Sequence, residues 1–511
     1  MTSTPAADSL TTRTARAIQW RFAGTLVAAA SQLLVGALLA RLLTPADFGV
    51  AALAYVALGL AQSIADLGLG SAIARHAVVT DRHVRSAFTC SVIGGLSIAA
   101  VIVAAAPLGA AAMHDATVTP VLRFLSLGVA LRGTAVVADA LMRRHLEFRR
   151  AFFIEATSYA LGFGGVAVTL AWHGYGVWSL VLGSLVQTLI VSAAQIAAVR
   201  HPMRPLLARR ELGDLLGFGF PAAASGCVNY LALNGDYFVV GRLMGAVNLG
   251  LYSRAYGLMN LPQTYAAAVM SSVMFPAIAQ VQREPARARS GYLMVTRLTA
   301  IVAAPAMATM VMIAPHLVRF LYGPQWSGAV LPLQILSIAG YFRALYHLGG
   351  VVARALGRVY GELWRQLAYA AFVIGATLVG SRHGLPGVAI GVGVAILFMF
   401  VATAHLAMNA TGTSWRAYMG VQRDALVTAS ITGGVALAVR ILLERSRASN
   451  TVITIAVLAA AALPWSVGIL RTLGEPGLEP LQASLPDSIR RLVAALRARA
   501  RPSHVSRDAR F

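Results

Sequence analysis

Lysine is absent from this chain, and all 42 of its basic residues are arginine. Without lysine there is no Walker-type phosphate lysine, no Schiff base and no lysine general base. Charge of any kind is scarce. Only 12% of residues are Asp, Glu, Lys or Arg, against about 25% in soluble globular chains, which places the sequence among multi-span membrane proteins. The two cysteines, Cys90 and Cys227, sit inside apolar runs, so neither a disulfide nor a metal site is expected. HExxH, G-x-S-x-G and paired loop acids are missing, and the lone histidines His114, His173, His316 and His383 fall at connections between runs. No enzymatic activity, metal, cofactor or nucleic-acid partner is expected. The first apolar run is long enough to span, with no small-residue cleavage site behind it, so no cleavable signal is expected either.

What the chain does contain is apolar sequence, 58% of its residues, and a net charge of +23. A GC-rich genome is one expected cause of both the arginine and the alanine. Whatever the cause, the cations are permanently charged planar forks suited to phosphate.

A hydrocarbon core of roughly 30 Å takes about 20 apolar residues per helix. Fourteen runs qualify: 20–41, 48–74, 86–112, 119–141, 151–172, 175–199, 213–241, 249–279, 291–314, 328–353, 360–381, 385–410, 422–443 and 450–471. The predicted fold is therefore all-α and polytopic. With the N-terminus inside, 21 loop arginines fall on the inner side, including Arg143, Arg144, Arg149 and Arg150, against seven on the outer side. That bias puts both termini in the cytoplasm. The last outer loop runs against it, since Arg440, Arg445 and Arg447 fall there.

The chain is built twice. Arg41-Leu42-Leu43-Thr44-Pro45-Ala46-Asp47-Phe48-Gly49 recurs 201 residues on as Arg242-Leu243-Met244-Gly245-Ala246-Val247-Asn248-Leu249-Gly250, and Tyr55 and Gln62 recur as Tyr256 and Gln263. Further along, Arg132 and Arg143 meet Arg343 and Arg354 at offset 211, and His173-Gly174 meet His383-Gly384 at offset 210. Helices 1–6 thus repeat as helices 7–12, and an even number puts both halves into the membrane in the same direction. The expected organisation is a cytoplasmic N-terminus (1–19), an N-lobe (20–199), a linker (200–212), a C-lobe (213–410), two appended helices (411–471) and a basic tail (472–511). The two six-helix lobes are expected to face a central cleft. In the tail, Ile489, Leu492, Val493 and Leu496 fall on one face of an amphipathic helix over 487–500, rich in arginine elsewhere. It suits anionic inner-leaflet lipid, or else a partly disordered tail.

Charges within spans cost about 2.5–3.5 kcal/mol and rarely face lipid. Arg132 and Arg343 stand near mid-span and are repeat partners, so they are the expected contacts for a substrate carrying phosphate. The alternative is a partner inside each lobe, such as Asp139 for Arg132. Arg254, Arg297, Arg365 and Arg123 are secondary candidates that either line a cavity or snorkel to an interface. The intramembrane carboxylates Asp66, Asp139, Glu155 and Asp236 are candidates for ion coupling or for ion pairing. Asp66, in Ala65-Asp66-Leu67-Gly68, is as compatible with capping a helix break. Arg41, Asp47, Gly49, Arg242, Gly250 and Tyr256 mark the repeat and have structural roles. Gly217, Gly219, Pro221, Pro262 and Pro305 predict kinks.

"RLLTPADFG" at 41–49, "DLGLGSAIARH" at 66–76, "GYGVWSLVLGSLVQ" at 174–187 and "NGDYFVVGRLMGAVNLGLYSRAY" at 234–256 resemble the polysaccharide transporters, over residues 20 to 470. These are the bacterial oligosaccharide-lipid flippases of the multidrug/oligosaccharidyl-lipid/polysaccharide superfamily. The resemblance implies an inner-membrane flippase for undecaprenyl-diphosphate-linked oligosaccharide repeat units, serving exopolysaccharide or O-antigen synthesis by alternating access around a cationic cleft. A polymerase and a chain-length protein would be its partners. Export of an anion from a negative-inside cell is downhill by about 2.3 kcal/mol per charge per 100 mV. Alternatives are a drug/cation exporter of the same superfamily, which would want acids in its cleft, a peptidoglycan-precursor flippase, and a glycan polymerase or ligase. The last would be expected to carry a large outer loop, and every connection here is short.

Overall fold

In a computed structural model, the chain is described over residues 28–113, 115–280, 284–474 and 490. The expected N-terminal segment (1–19) and all but Arg490 of the amphipathic helix at 487–500 lie outside the described residues. Among those described, the protein is all helical, with twelve helices long and apolar enough to cross a membrane and a shorter apolar helix at Ala28–Leu42.

That short helix is α1. It is followed by α2 (Pro45–Ala65), α3 (Leu69–Arg75), α4 (Asp81–Met113), α5 (Val118–Arg144), α6 (Phe148–Tyr159), α7 (Val168–Trp172) and α8 (Val177–Val199). The 72-residue α9 (Arg209–Gln280) and α10 (Pro285–Leu321) come next, then α11 (Val330–Ala355), α12 (Val359–Ser381), α13 (Gly384–Thr411) and α14 (Trp415–Gly420). The described helices close with α15 (Arg423–Arg445) and α16 (Asn450–Leu473).

Three details depart from the run-by-run expectation. The run 48–74 is two helices, because Leu67 and Gly68 take φ of 45° and 68° and break the chain after Asp66. The run 151–172 is not plain α-helix. A π-helical stretch, Ala160–Ala167, joins α6 to α7, where Gly162 faces the carbonyl of Gly183 so closely that an added Cβ would lie 2.6 Å from its oxygen. The helix at 213–241 continues through Pro221, and α9 leaves helical geometry only at Gly245 (φ 79°, ψ 177°), which lies between the two runs expected there.

The duplicated motif starts a helix in both copies. In the first, Thr44 is the N-cap and Pro45 follows at N1, where its missing N–H costs nothing. Thr44 and Asp47 form a reciprocal capping box, with Asp47 Oδ2 accepting from the Thr44 N–H at 2.9 Å. In the second, the place of Thr44 is held by Gly245 at the break, and Asn248 donates from Nδ2 to the Met244 carbonyl at 2.8 Å. The two copies also touch reciprocally. A Cβ on Gly49 would lie 1.8 Å from the Ala246 carbonyl oxygen, and a Cβ on Gly250 would lie 1.8 Å from that of Pro45. Pro45 and Ala246 are themselves repeat partners, so the contact has the residue-to-residue reciprocity of a local two-fold.

The chain divides into two compact units. The first runs to Arg254 and adds Leu321–Gly328 and Gln366–Val388; the second comprises Ala255–Phe320, Ala329–Arg365 and Ala389 onward. Inside the first, Leu69, Ile73, Val84, Val137, Leu141 and Leu215 form an apolar cluster between α3, α4, α5 and α9. Within the same unit, Trp326 and Gln325 donate to the carbonyl of Ala40, at 2.8 and 2.9 Å, and so satisfy the end of α1. The second unit is centred on α11, most of which is buried. There Tyr341 donates to Gln422 Oε1 at 2.7 Å, and Tyr292 stacks on Tyr418 with ring centroids 5.6 Å apart. The helices at 422–443 and 450–471 are present as α15 and α16. Of the three arginines counted against them, Arg440 is held by Glu444 at 2.8 Å and by the Met312 carbonyl at 3.0 Å. Glu444 also meets His316 Nε2 at 2.7 Å, and His316 Nδ1 meets Asn450 Oδ1 at 2.8 Å, which ties α10, α15 and α16 together.

Candidate functional site

The first unit holds a polar cavity of about 270 Å³, lined by Asp66, Ser71, Arg132, Asp139, Arg143 and Gln195 among others. Its position follows from the break after α2. Residues that would have continued one apolar helix turn aside at Leu67-Gly68, and α3 restarts against α5. Gly68 must be glycine twice over, having φ of 68° and the Gly219 carbonyl oxygen 1.9 Å from where a Cβ would be. Asp66 is the C-cap of α2, half-buried at the cavity wall.

Sequence left open whether Asp139 serves Arg132. In the structure the carboxylate of Asp139 pairs with Arg143, one turn on, and accepts from Gln195 Nε2 at 3.3 Å. Asp66 accepts from Gln62 Nε2 at 2.8 Å through Oδ1. Its Oδ2 has no hydrogen-bond partner among the described residues, and neither has the guanidinium of Arg132. Both side chains line the cavity, so the site offers an unspent donor fork and an unspent acceptor in one small volume. The charges of Arg132, Arg143 and Asp139 also reach Glu155 on α6, which is exposed.

The repeat partner of Arg132 is placed differently. Arg343 is 6% exposed. It donates to the Tyr256 hydroxyl, with its guanidinium 5.2 Å from the centre of that ring. Tyr55, the partner of Tyr256, donates instead to the Leu180 carbonyl at 3.0 Å. The next pair of arginines also differs in how it is neutralised. Arg143 takes a carboxylate from its own helix, whereas Arg354 takes Glu362 from α12. Where the first half has Asp139 the second has Gly350, and a Cβ there would lie 2.6 Å from Glu362 Oε1. The glycine leaves room for a carboxylate arriving from another helix.

Of the secondary arginines, Arg365 is spent on helix carbonyls, donating to Ala402 at 2.9 Å and Gly361 at 2.8 Å. Arg254 lies over the Phe48 ring at 4.5 Å, a cation–π contact. Arg297 is half-buried within α10. Asp236 is 1% exposed and accepts from the Tyr252 hydroxyl at 2.5 Å, which bridges the break at Gly245. Arg41 donates to the Leu321 carbonyl at 3.1 Å. Arg242 lies in α9 just before that break.

Sequence reading missed Gln195, Gln325, Trp326 and Glu362. No local signal marks any of them. Glu362 alone could have been suspected, as a charged residue inside an expected span.

Long apolar helices that carry charged side chains to an internal polar cavity define the class: a membrane transporter. The profile of the family described as "Polysaccharide biosynthesis protein" matches residues 38–331, and the chain belongs to that family, within the polysaccharide and lipid-linked-oligosaccharide flippase superfamily. Among curated proteins, it is 24% identical over 355 residues to the teichuronic acid biosynthesis protein TuaB of Bacillus subtilis, covering 68% of this chain and 73% of the relative. It is 23% identical over 429 residues to the lipopolysaccharide biosynthesis protein WzxC of Escherichia coli, covering 80% and 84%. Among solved structures, the lipid II flippase MurJ in an inward closed conformation superposes with a TM-score of 0.71 at 13% identity, covering 88% of this chain and 97% of that one. That likeness is one of fold.

Proposed function

We propose that this protein is an inner-membrane flippase carrying undecaprenyl-diphosphate-linked oligosaccharide repeat units from the cytoplasmic to the outer leaflet, for exopolysaccharide or O-antigen synthesis. The observation that carries the reading is Arg132: an arginine within a membrane span, with no hydrogen bond to a described residue, on the wall of a polar cavity. Leaving a guanidinium unspent inside a membrane is costly unless a ligand completes it. A phosphate does so with two parallel bonds. The roles of TuaB and WzxC, in teichuronic acid and lipopolysaccharide biosynthesis, support the cargo class.

In this reading Arg132 contacts the diphosphate from the cavity wall, and Arg343, Arg254, Arg297 and Arg365 are proposed to contact the cargo only on giving up the partners they hold in this structure. The lobes 20–199 and 213–410 alternate access, both termini are cytoplasmic, and a polymerase and chain-length protein take the product. Deleting the gene should accumulate lipid-linked repeat units in the inner leaflet and stop surface polymer. Replacing Arg132 and Arg343 together by Ala should do the same in a protein that still inserts. Normal polymer from the double variant rules out the arginine role.

Asp66 and Asp139 on the cavity wall, with Glu155 close enough to feel the charge of Asp139, favour a second reading, a drug/cation exporter. It predicts altered susceptibility to cationic drugs on deletion, with surface polymer intact. A peptidoglycan-precursor flippase would instead make the deletion lethal.

A further inference from the structure

The diphosphate reading leaves one half of the cavity unused. Arg132 supplies donors, but Asp66 supplies an acceptor, and phosphate has no proton to give it at neutral pH. The other anionic member, Asp139, is already occupied by Arg143 and Gln195. Asp66 is not: Oδ1 takes the Gln62 amide, and Oδ2 has no partner among the described residues. Ser71, whose hydroxyl donates to the Gly68 carbonyl at 2.7 Å, lines the same wall and keeps its oxygen lone pairs as acceptors.

A group that suits an acceptor carboxylate beside a guanidinium is one that both gives and takes hydrogen bonds. A sugar hydroxyl does so, and the first sugar of a glycosyl diphosphate is joined directly to the phosphate. Held by Arg132, the phosphate would bring that ring into the volume bordered by Asp66 and Ser71. At about 270 Å³ the cavity falls just below the usual range of ligand pockets, roughly 300–1,000 Å³, which suits one ring rather than a whole repeat unit.

We infer that this cavity is a glycosyl subsite, in which Asp66 reads the hydroxyls of the phosphate-linked sugar while Arg132 holds the phosphate beside it. The inference rests on the flippase reading. It assigns Asp66 a part in specificity and makes the first sugar, not the distal glycan, the recognised portion of the cargo.

The test is binding to the full-length protein in nanodiscs, with two probes: polyprenyl diphosphate, and the same lipid carrying one glucose. In the wild type the glucose should raise affinity about tenfold, the increment of a hydrogen bond to a charged group. In Asp66→Asn the ratio of the two affinities should fall toward one, and Asp66→Glu should recover part of it. Binding of the bare diphosphate lipid by the same preparation reports that the variant is folded. A wild-type ratio near one with the bare lipid bound overturns the subsite and leaves the flippase reading standing, as does a ratio untouched by Asp66→Asn. Failure of the wild type to bind either lipid overturns both.

Discussion

Asp139 holds Arg143 one helical turn along α5, and Arg132, two turns back on the same helix, is left without a hydrogen bond to any described residue. One carboxylate between two arginines has thus chosen the more exposed. Arg143 has 63% of its side chain exposed, so its pair with Asp139 is worth only about 0.2–1 kcal/mol. The consequence lies in what Arg132 is spared.

Arg132 and Arg143 should therefore separate in experiment. Arg132→Ala is expected to cut polymer export by about tenfold or more, the loss of a charge-assisted bond to the cargo, with thermal stability in detergent little changed. Arg143→Ala is expected to lower export as well, because the freed Asp139 turns to Arg132. Adding Asp139→Asn should restore much of that loss. If the double variant exports no better than Arg143→Ala, the two residues act independently.

Glycines at the repeat contact are expected to fail for two different reasons. Gly49→Ala and Gly250→Ala each drive a Cβ to 1.8 Å from a backbone oxygen, so the helices must separate at about 1–3 kcal/mol. Gly245→Ala meets nothing within 4 Å, yet φ is 79° and ψ 177°, a region open essentially to glycine alone and worth about 1–3 kcal/mol. Gly257→Ala, mid-helix with open space around it, is the control. It should be neutral or stabilising by up to about 1 kcal/mol. Thermal unfolding of the four purified variants measures the order.

Glu362→Ala should destabilise the second unit more than Asp139→Ala destabilises the first. Glu362 is 6% exposed, and the pair it makes with Arg354 joins two helices, whereas Asp139 and Arg143 share one. A loss of about 1–3 kcal/mol is expected. Gly350→Ala should mimic it by displacing the carboxylate, since its Cβ would lie 2.6 Å from Glu362 Oε1.

His201 gives a pH dependence. It lies in the connection between α8 and α9, packed on Phe88 with ring centroids 5.4 Å apart, and burial pushes its pKa below the usual 6.5. The unfolded chain then takes up a proton that the folded chain refuses, so stability is full above pH 6.5 and falls as pH drops below it. Thermal melts between pH 7.5 and pH 5 should show this fall, shallower in His201→Gln. An equal slope in both proteins would assign the dependence elsewhere.

Much of the fold could be read along the chain because hydropathy and helix signals are local. Thr44-Pro45-Ala46-Asp47 announces a helix start by itself, and Gly245 falls where two apolar runs were expected to part. The π-helical stretch at Ala160–Ala167 could not be read, since it answers to the close approach of Gly183 on another helix. Asp66 was legible as a carboxylate at a glycine-flanked site, but not as a cavity wall.

The sequence by itself determined that the chain is membrane-embedded, helical and arginine-only in its cations, and that one motif recurs 201 residues on, for each of these is a property of residue order and composition. Tertiary structure decided how the charges are matched. Repeat partners with the same letter, Arg132 and Arg343, ended with opposite fates, one on an open wall and one against Tyr256. A guanidinium takes whatever carboxylate, hydroxyl or carbonyl the neighbouring helices bring within reach. Which helices those are is fixed by packing between residues far apart in the chain.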